Sequence, residues 1–411
     1  MGNLFKIAIR NLTRYRRRTI LTASLVAIGI VFVLVFVAVA GSFKSMIIGQ
    51  ITDSMLGHIQ IHRKGYVASI DNLPLNLNMK PQAVAKVEKL LQSMPEVEAF
   101  SPRIKFGGMF SNFTESTNIR LNGVYPEKEI RTVPLLMGRV SEGDKAIKKG
   151  EILIPDLLAR GMNVKVGDMI VVIATNKDGS VNGKQLKVGG VLDSATGPGG
   201  RDGYVHIDDA MEILRMDEQE MSEIAVRLKD FGKLNAVYEK LETDLAPEVN
   251  KQGKPIFEVH TWEGLSPFYN IARMIDVMTF FIKLMLIAIV LVSIMNVMIM
   301  AVYERIREIG TIGAIGTLPG KILSMFVIEG FSLGVFGAII GNIVGLAIVF
   351  ILNLAKIHFD FGRQTFILAP TVQVSDIVTV SIIVIIVAVL GSLQPAFKAS
   401  RMEPIEALRH V

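Results

Sequence analysis

The sequence predicts an α-helical membrane protein with four transmembrane helices and a large mixed α+β extracytoplasmic domain between helices 1 and 2. Residues 19–43, 284–303, 330–355 and 377–397 carry no charge, and about 20 residues at 1.5 Å each cross a hydrocarbon core of roughly 30 Å. The runs are unevenly spaced, because residues 42–270 contain no long apolar stretch. Half of the 411 residues are hydrophobic and a fifth are charged, which is too apolar for an ordinary soluble chain.

The basic N-terminal segment 1–18 holds Lys6, Arg10, Arg14, Arg16, Arg17 and Arg18 without an acid. Basic residues near span ends stay in the cytoplasm, so the N-terminus is expected inside. The first span covers 19–41 and the outer domain 42–270. A stalk and second span (271–303) lead to a cytoplasmic coupling segment, 304–321. The third span (322–355), an outer loop (356–375), the fourth span (376–397) and a cytoplasmic tail (398–411) follow. Arg305, Arg307 and Lys321, with Lys398, Arg401 and Arg409 in the tail, fit this orientation. An A-x-A pattern at Ala38 and Ala40 resembles a signal-peptidase site, but the apolar run before it is too long for a signal core, so the segment is expected to remain.

Charge and composition exclude several functions. Residues 42–270 hold 28 basic and 30 acidic side chains, a balance of −2, leaving +8 for the remainder. The excess of positive charge therefore belongs to the membrane flanks and gives no nucleic-acid surface. With no cysteine there is no disulfide, thiol nucleophile, Cys-ligated zinc or iron-sulfur site.

Two charges lie close to the spans. Lys283 is expected to snorkel from the outer end of the second, and Glu329 to play a structural part at the inner edge of the third rather than couple ions. The uncharged residues 322–328 before Glu329 suggest a helix that starts along the interface. Within the third span, Gly330, Gly334, Gly337, Gly341 and Gly345 clear one face for close helix packing, and spacing does not separate bundling within one chain from dimerisation. The same run contains a G-x-S-x-G match at residues 330–334, which an apolar helix cannot use as a nucleophile elbow. Methionines around the second span read mostly as packing. At its outer end Met278, Phe280, Phe281 and Met285, opposite Phe43 and Met46, form a candidate apolar entrance for substrate.

In the outer domain, strands are expected at 58–62, 104–110, 119–124, 151–155, 169–174 and 184–192, and helices at 81–94, 208–216 and 233–245. Two subdomains are expected. His58 and His62 share a strand face but lack a third ligand at a useful spacing, so they read as surface histidines, and no metal site or catalytic residue is assigned. The glycine-rich residues 197–203 read as a mobile loop before an anion-binding nest. Residues 179–184 and 316–321 each end in Gly-Lys, yet have three residues between their glycines and no following Ser or Thr. Neither is a P-loop.

The stretch Asn296-Val297-Met298-Ile299-Met300-Ala301-Val302-Tyr303-Glu304-Arg305-Ile306-Arg307-Glu308-Ile309-Gly310-Thr311-Ile312-Gly313-Ala314-Ile315-Gly316 resembles the signature after the second span of MacB/FtsX-type ABC permeases. Arg10-Asn11-Leu12, Arg17-Arg18-Thr19 and Pro404-Ile405-Glu406-Ala407-Leu408-Arg409 are similar to that family as well. The resemblance implies a MacB-like periplasmic domain, an FtsX-like permease domain over 271–405, and a multi-pass protein of the bacterial inner membrane with both termini in the cytoplasm. It also implies a cytoplasmic ABC ATPase dimer as partner, MgATP bound there and not in this chain, and a second permease copy or sister permease. Glu304, Arg305, Arg307, Glu308, Ile309 and Gly310 match the segment that docks on the ATPase, with Pro319 expected to stop that helix early. MacB proper carries its ATPase in the same chain, so the organisation resembles the Lol lipoprotein-releasing permeases. That implies a non-catalytic subunit extracting lipoproteins or another hydrophobic substrate from the outer leaflet, with delivery to a periplasmic carrier. The alternative is an FtsX-like regulator that transmits ATPase motion to a cell-wall hydrolase.

Overall fold

The structure is a computed structural model and describes residues 10, 14, 16–194, 201–361, 364–403, 405 and 407. Residues 197–200 of the glycine-rich loop, Asn11 and Leu12 of the N-terminal motif, and Pro404, Glu406, Leu408 and Arg409 of the C-terminal one lie outside the described residues. Two compact units are present: Met46–Ala272, and the membrane helices on either side of it in sequence.

Helix α1 (Arg16–Ile51) carries the first span and ends in a π turn, Thr52–Leu56. Gly57 closes that turn at φ 75°, ψ −178°, a conformation essentially confined to glycine. Strand β1 (Ile59–Arg63) leads to α2 (Pro81–Ser93). Pro81 stands at the first helical position, and Val84, Val87 and Leu91 bury one face at helical spacing. There follow β2 (Val97–Ser111), β3 (Ser116–Val124), α3 (Pro126–Thr132), β4 (Val140–Gly143), β5 (Glu151–Pro155), α4 (Asp156–Gly161), β6 (Met169–Thr175) and β7 (Val181–Leu192). The domain finishes with β8 (Gly203–His206), α5 (Ile207–Ile213), β9 (Glu223–Leu228), α6 (Leu234–Leu245) and β10 (Phe257–Thr261).

These ten strands form one sheet in the order β10-β1-β9-β2-β3-β8-β5-β7-β4, with β6 bridging β2 and β7. The expectation of two subdomains is corrected here. Strand β2 runs for 15 residues, pairs with β9 along its first half and with β3 and β6 along its second, and so joins both ends of the sheet through one backbone.

The surface reading of the two histidines is also corrected, since His58 is 4% and His62 0% exposed. His58 Nδ1 accepts the Leu228 amide at 3.0 Å. His62 stacks on Tyr66 and lies 3.6 Å from Glu223. Glu223, fully buried, also meets the Arg103 guanidinium at 2.9 Å and Lys105 at 3.3 Å, while Arg103 forks onto buried Glu129 at 2.8 Å. Two cations, Arg103 and Lys105, thus face two carboxylates, Glu129 and Glu223, in one buried cluster. Among the described residues no group of His, Asp and Glu is arranged to hold a metal.

In the membrane unit, α1 is joined by α7 (Tyr269–Glu304), α8 (Ile306–Ala314), α9 (Pro319–Leu354) and α10 (Val374–Ser400), with a short hairpin β11 (His358–Phe361) and β12 (Gln364–Ile367) between the last two. Four of these helices, those other than α8, are long and apolar enough to cross a membrane. Lys44 on α1 pairs with Asp276 on α7 at 2.6 Å, and Lys283 is half-buried on α7. The Asn342 amide of α9 donates to the Ser381 hydroxyl of α10 at 2.8 Å. Helix α9 starts at Pro319 and continues unbroken through Glu329, so residues 322–328 are early turns of the same long helix that carries the third span.

The glycine stripe of α9 is divided between two neighbours. A Cβ on Gly330 or Gly334 would lie 2.5 or 2.6 Å from Ser392 or Ala388 of α10. One on Gly337, Gly341 or Gly345 would lie 2.6 Å from Val26, 2.8 Å from Ile30 or 3.1 Å from Leu34 of α1. Contacts under 3 Å force the helices apart, so Gly341→Leu should sharply reduce the yield of folded protein. Gly320→Ala, where a Cβ meets nothing within 4 Å, should leave that yield unchanged; size-exclusion profiles of the two variants make the comparison.

Candidate coupling site

The segment between α7 and α9 is built by two interruptions. Arg305 leaves the helical region at φ −112°, ψ 17°, which separates α7 from α8 and turns the chain. Helix α8 then ends at Ala314, Gly316 takes φ 96°, and Pro319 begins α9. Left-handed glycine closes a helix without the steric cost of a side chain, and proline suits a first turn because its missing N–H would be unsatisfied there. Helix α8 therefore stops ahead of the proline, which opens the next helix.

The six residues expected to face the ATPase do not share one surface. Glu304, Arg307 and Glu308 are exposed, whereas Arg305, Ile309 and Gly310 are buried. Ile306 and Ile309 turn inward at helical spacing, leaving the charged positions on the opposite side of α8. The placement of Arg305 on an outer docking face is thereby corrected.

The Arg305 side chain instead forms a buried junction. Its Nη1 donates to Glu329 Oε2 of α9 at 3.1 Å, and its Nε to Glu308 Oε2 of α8 at 3.3 Å. Its guanidinium carbon lies 5.9 Å from the centre of the Phe326 ring, one turn before Glu329 on α9. Both members of the main pair are nearly sealed from solvent, at 5% and 3% side-chain exposure. Arg14 reaches Glu308 from the other side at 3.4 Å. A buried charge without its partner carries a penalty of several kcal/mol, so α8 and α9 are held to one another through this contact. The signal in the sequence is Glu329 itself, a lone carboxylate between uncharged runs, which requires a cation that spacing alone does not name.

The candidate entrance residues are distributed differently. Met278, Phe280, Phe281 and Met285 are all exposed on α7, with Met274 extending the apolar stripe, and the two phenylalanine rings meet edge to face at 5.8 Å. Phe43 and Met46 are half-buried along α1. The Lys44 to Asp276 ion pair fixes Phe43 and the start of the α7 stripe at adjoining levels of the membrane unit.

Four membrane-length helices, a sheet domain between the first two of them in sequence and a short helix tied to the third span define a multi-pass membrane protein. Family models specify the class. Residues 19–244 match the MacB-like periplasmic core domain, and residues 280–404 match the FtsX-like permease C-terminal region. The chain belongs to the MacB/FtsX-type family of ABC transporter permeases.

Among its relatives, the lipoprotein-releasing system transmembrane protein LolC of Neisseria meningitidis is 24% identical, over 95% of this chain and 94% of that one. A probable export ATP-binding/permease protein MacB of Pseudomonas entomophila is 23% identical over 98% of this chain. The alignment spans only 58% of the MacB protein. The crystal structure of the periplasmic region of MacB from Actinobacillus actinomycetemcomitans superposes with a TM-score of 0.34 and 12% identity, covering 50% of this chain and 89% of that one.

Proposed function

We propose that this chain is the permease subunit of an ATP-driven, mechanically coupled transporter that extracts lipoproteins, or another hydrophobic substrate, from the outer leaflet of the bacterial inner membrane. The observation that carries the reading is the buried Arg305 to Glu329 contact at 3.1 Å. It ties a short helix with an exposed charged face to a membrane-spanning helix, so force applied to the former is delivered to the latter. The names of the relatives, which refer to lipoprotein release and to export, support cargo transport. None of those names points to hydrolase regulation, and that alternative is not retained.

In this reading both termini face the cytoplasm and the sheet domain faces the periplasm. An ABC ATPase dimer binds MgATP and presses on Glu304, Arg307 and Glu308, with Arg305 as the pivot behind them. A second copy or a sister permease completes the pair. Substrate enters along Phe43, Met46, Met278, Phe280, Phe281 and Met285 and leaves to a periplasmic carrier. This chain contributes no catalytic group and no cofactor of its own.

Replacing Glu304 and Glu308 together by Lys reverses the charge of the exposed face. Stimulation of the ATPase by the permease, and lipoprotein release from reconstituted vesicles, should both disappear. Unchanged stimulation would reject the assigned docking face.

A further inference from the structure

At the ends of β1 and β10 opposite to where the chain enters and leaves the sheet domain, a cavity of about 530 Å³ opens between the start of α2 and residues 248–257. Arg63, Lys64, Lys80, Lys86 and Lys254 line it, against a single carboxylate, Glu248. Glu248 is already bound by Lys86 at 2.5 Å, and Lys64 lies 3.9 Å from Glu258. Among the described residues, Arg63, Lys80 and Lys254 have no carboxylate within 4.0 Å. The cavity therefore holds uncompensated positive charge inside a domain whose overall balance is slightly negative.

Its remaining donors converge in kind. Helix α2 has no side-chain cap at Lys80, and its first internal bond is the Val84 amide to the Lys80 carbonyl at 3.0 Å. The amides of Gln82 and Ala83, both residues of the cavity wall, thus have no acceptor within the helix. Asn78, only 2% exposed, forms part of the same wall. Its Oδ1 accepts the Ser222 hydroxyl at 2.9 Å, and its Nδ2 has no partner. Cations and a helix N-terminus favour an oxyanion with several acceptor oxygens. Leu77, Met79, Pro255 and Phe257 supply an apolar wall beside them, suited to a hydrocarbon tail.

We propose that this cavity is a binding site for the phosphate group of an anionic amphiphile, with the headgroup on the Lys80 and Lys254 side and the chain along Leu77 and Phe257. The site is separate from the coupling segment and does not depend on which cargo the permease carries. Phosphate recognition could originate in a lipid or in a free phosphate compound, and the two sources are distinguished by the apolar wall.

The test is titration calorimetry on the full chain in phosphatidylcholine nanodiscs, with empty nanodiscs as reference. The probes are dihexanoyl phosphatidic acid below its micellar concentration and inorganic phosphate. Saturable one-to-one binding of the short-chain lipid is expected, at least tenfold tighter than phosphate. The double variant Lys80→Gln/Lys254→Gln should weaken both probes at least tenfold, and Leu77→Asn should weaken the lipid alone. The fluorescence of Trp262, the one tryptophan of the chain, checks that each variant is folded. Equal affinity for both probes would overturn the amphiphile assignment, and no binding, or binding unchanged in the double variant, would overturn the site.

Discussion

Replacing Arg305 by Met and Glu329 by Leu in the same chain should give a permease that folds and binds its ATPase normally but releases at least tenfold less substrate per ATP hydrolysed. Each single replacement should do worse at an earlier stage. Arg305→Met takes the cation at 3.1 Å from the Glu329 carboxylate, which has 3% side-chain exposure, and Glu329→Leu takes that buried carboxylate from the guanidinium. Stranding one member of a buried pair costs about 3 to 5 kcal/mol, whereas removing both in favour of apolar side chains is often neutral for stability. The pair of experiments thus separates holding the fold together from passing on force. Co-purification of the ATPase reports assembly, and release from vesicles measured against hydrolysis reports coupling. A double variant that releases substrate at the normal rate per ATP would assign the contact to packing alone.

The second large effect is expected in the sheet domain. Glu223→Gln should lower its stability by about 3 to 5 kcal/mol near pH 7, because Arg103 then keeps only Glu129 and Lys105 loses the carboxylate it meets in this buried cluster. Trp262 is 2% exposed in this domain, so urea unfolding followed by its fluorescence reads this domain without interference from the membrane helices. The pH dependence has a definite sign. Burial by itself pushes the Glu223 carboxyl up, but Lys105, His62 and Arg103 more than reverse it and hold the group far below the ordinary carboxylate range. A carboxyl depressed in the folded state stabilises it fully above its unfolded value of about 4.3, and the contribution is lost as the pH falls below that. The wild-type urea midpoint should fall more steeply below about pH 4 than that of Glu223→Gln, which lacks this titration. Parallel profiles would show that Glu223 is not the group being protonated.

Much of the architecture is legible in the residues, and the losses have physical causes. The four spans follow from hydropathy and length, because hydrocarbon rejects charge over its whole thickness. Helix α2 follows from its apolar spacing and Pro81, and β5 from the continuous apolar run Ile152, Leu153 and Ile154. Strand β9, which lies between β1 and β2, was not predicted, because Glu223 and Arg227 interrupt the pattern that marks a buried strand. A charged side chain there is stabilised by groups far away in sequence, Arg103 among them, and no local window contains that information. Strand β10 is hidden in the same way by Glu258 and His260. At the coupling segment the sequence places four charges in five positions, Glu304 to Glu308. Which of them turns inward is decided by the break at Arg305, a backbone event that composition does not encode.

The glycine seam of α9 has one more implication. Its close contacts are made with α1 and α10 of the same polypeptide, so the seam is spent on internal packing, while Leu21, Leu25, Ile28 and Phe32 of α1 are left open. Substitutions at those outward residues leave the interior fit undisturbed, whereas any side chain added along the seam meets a neighbouring helix.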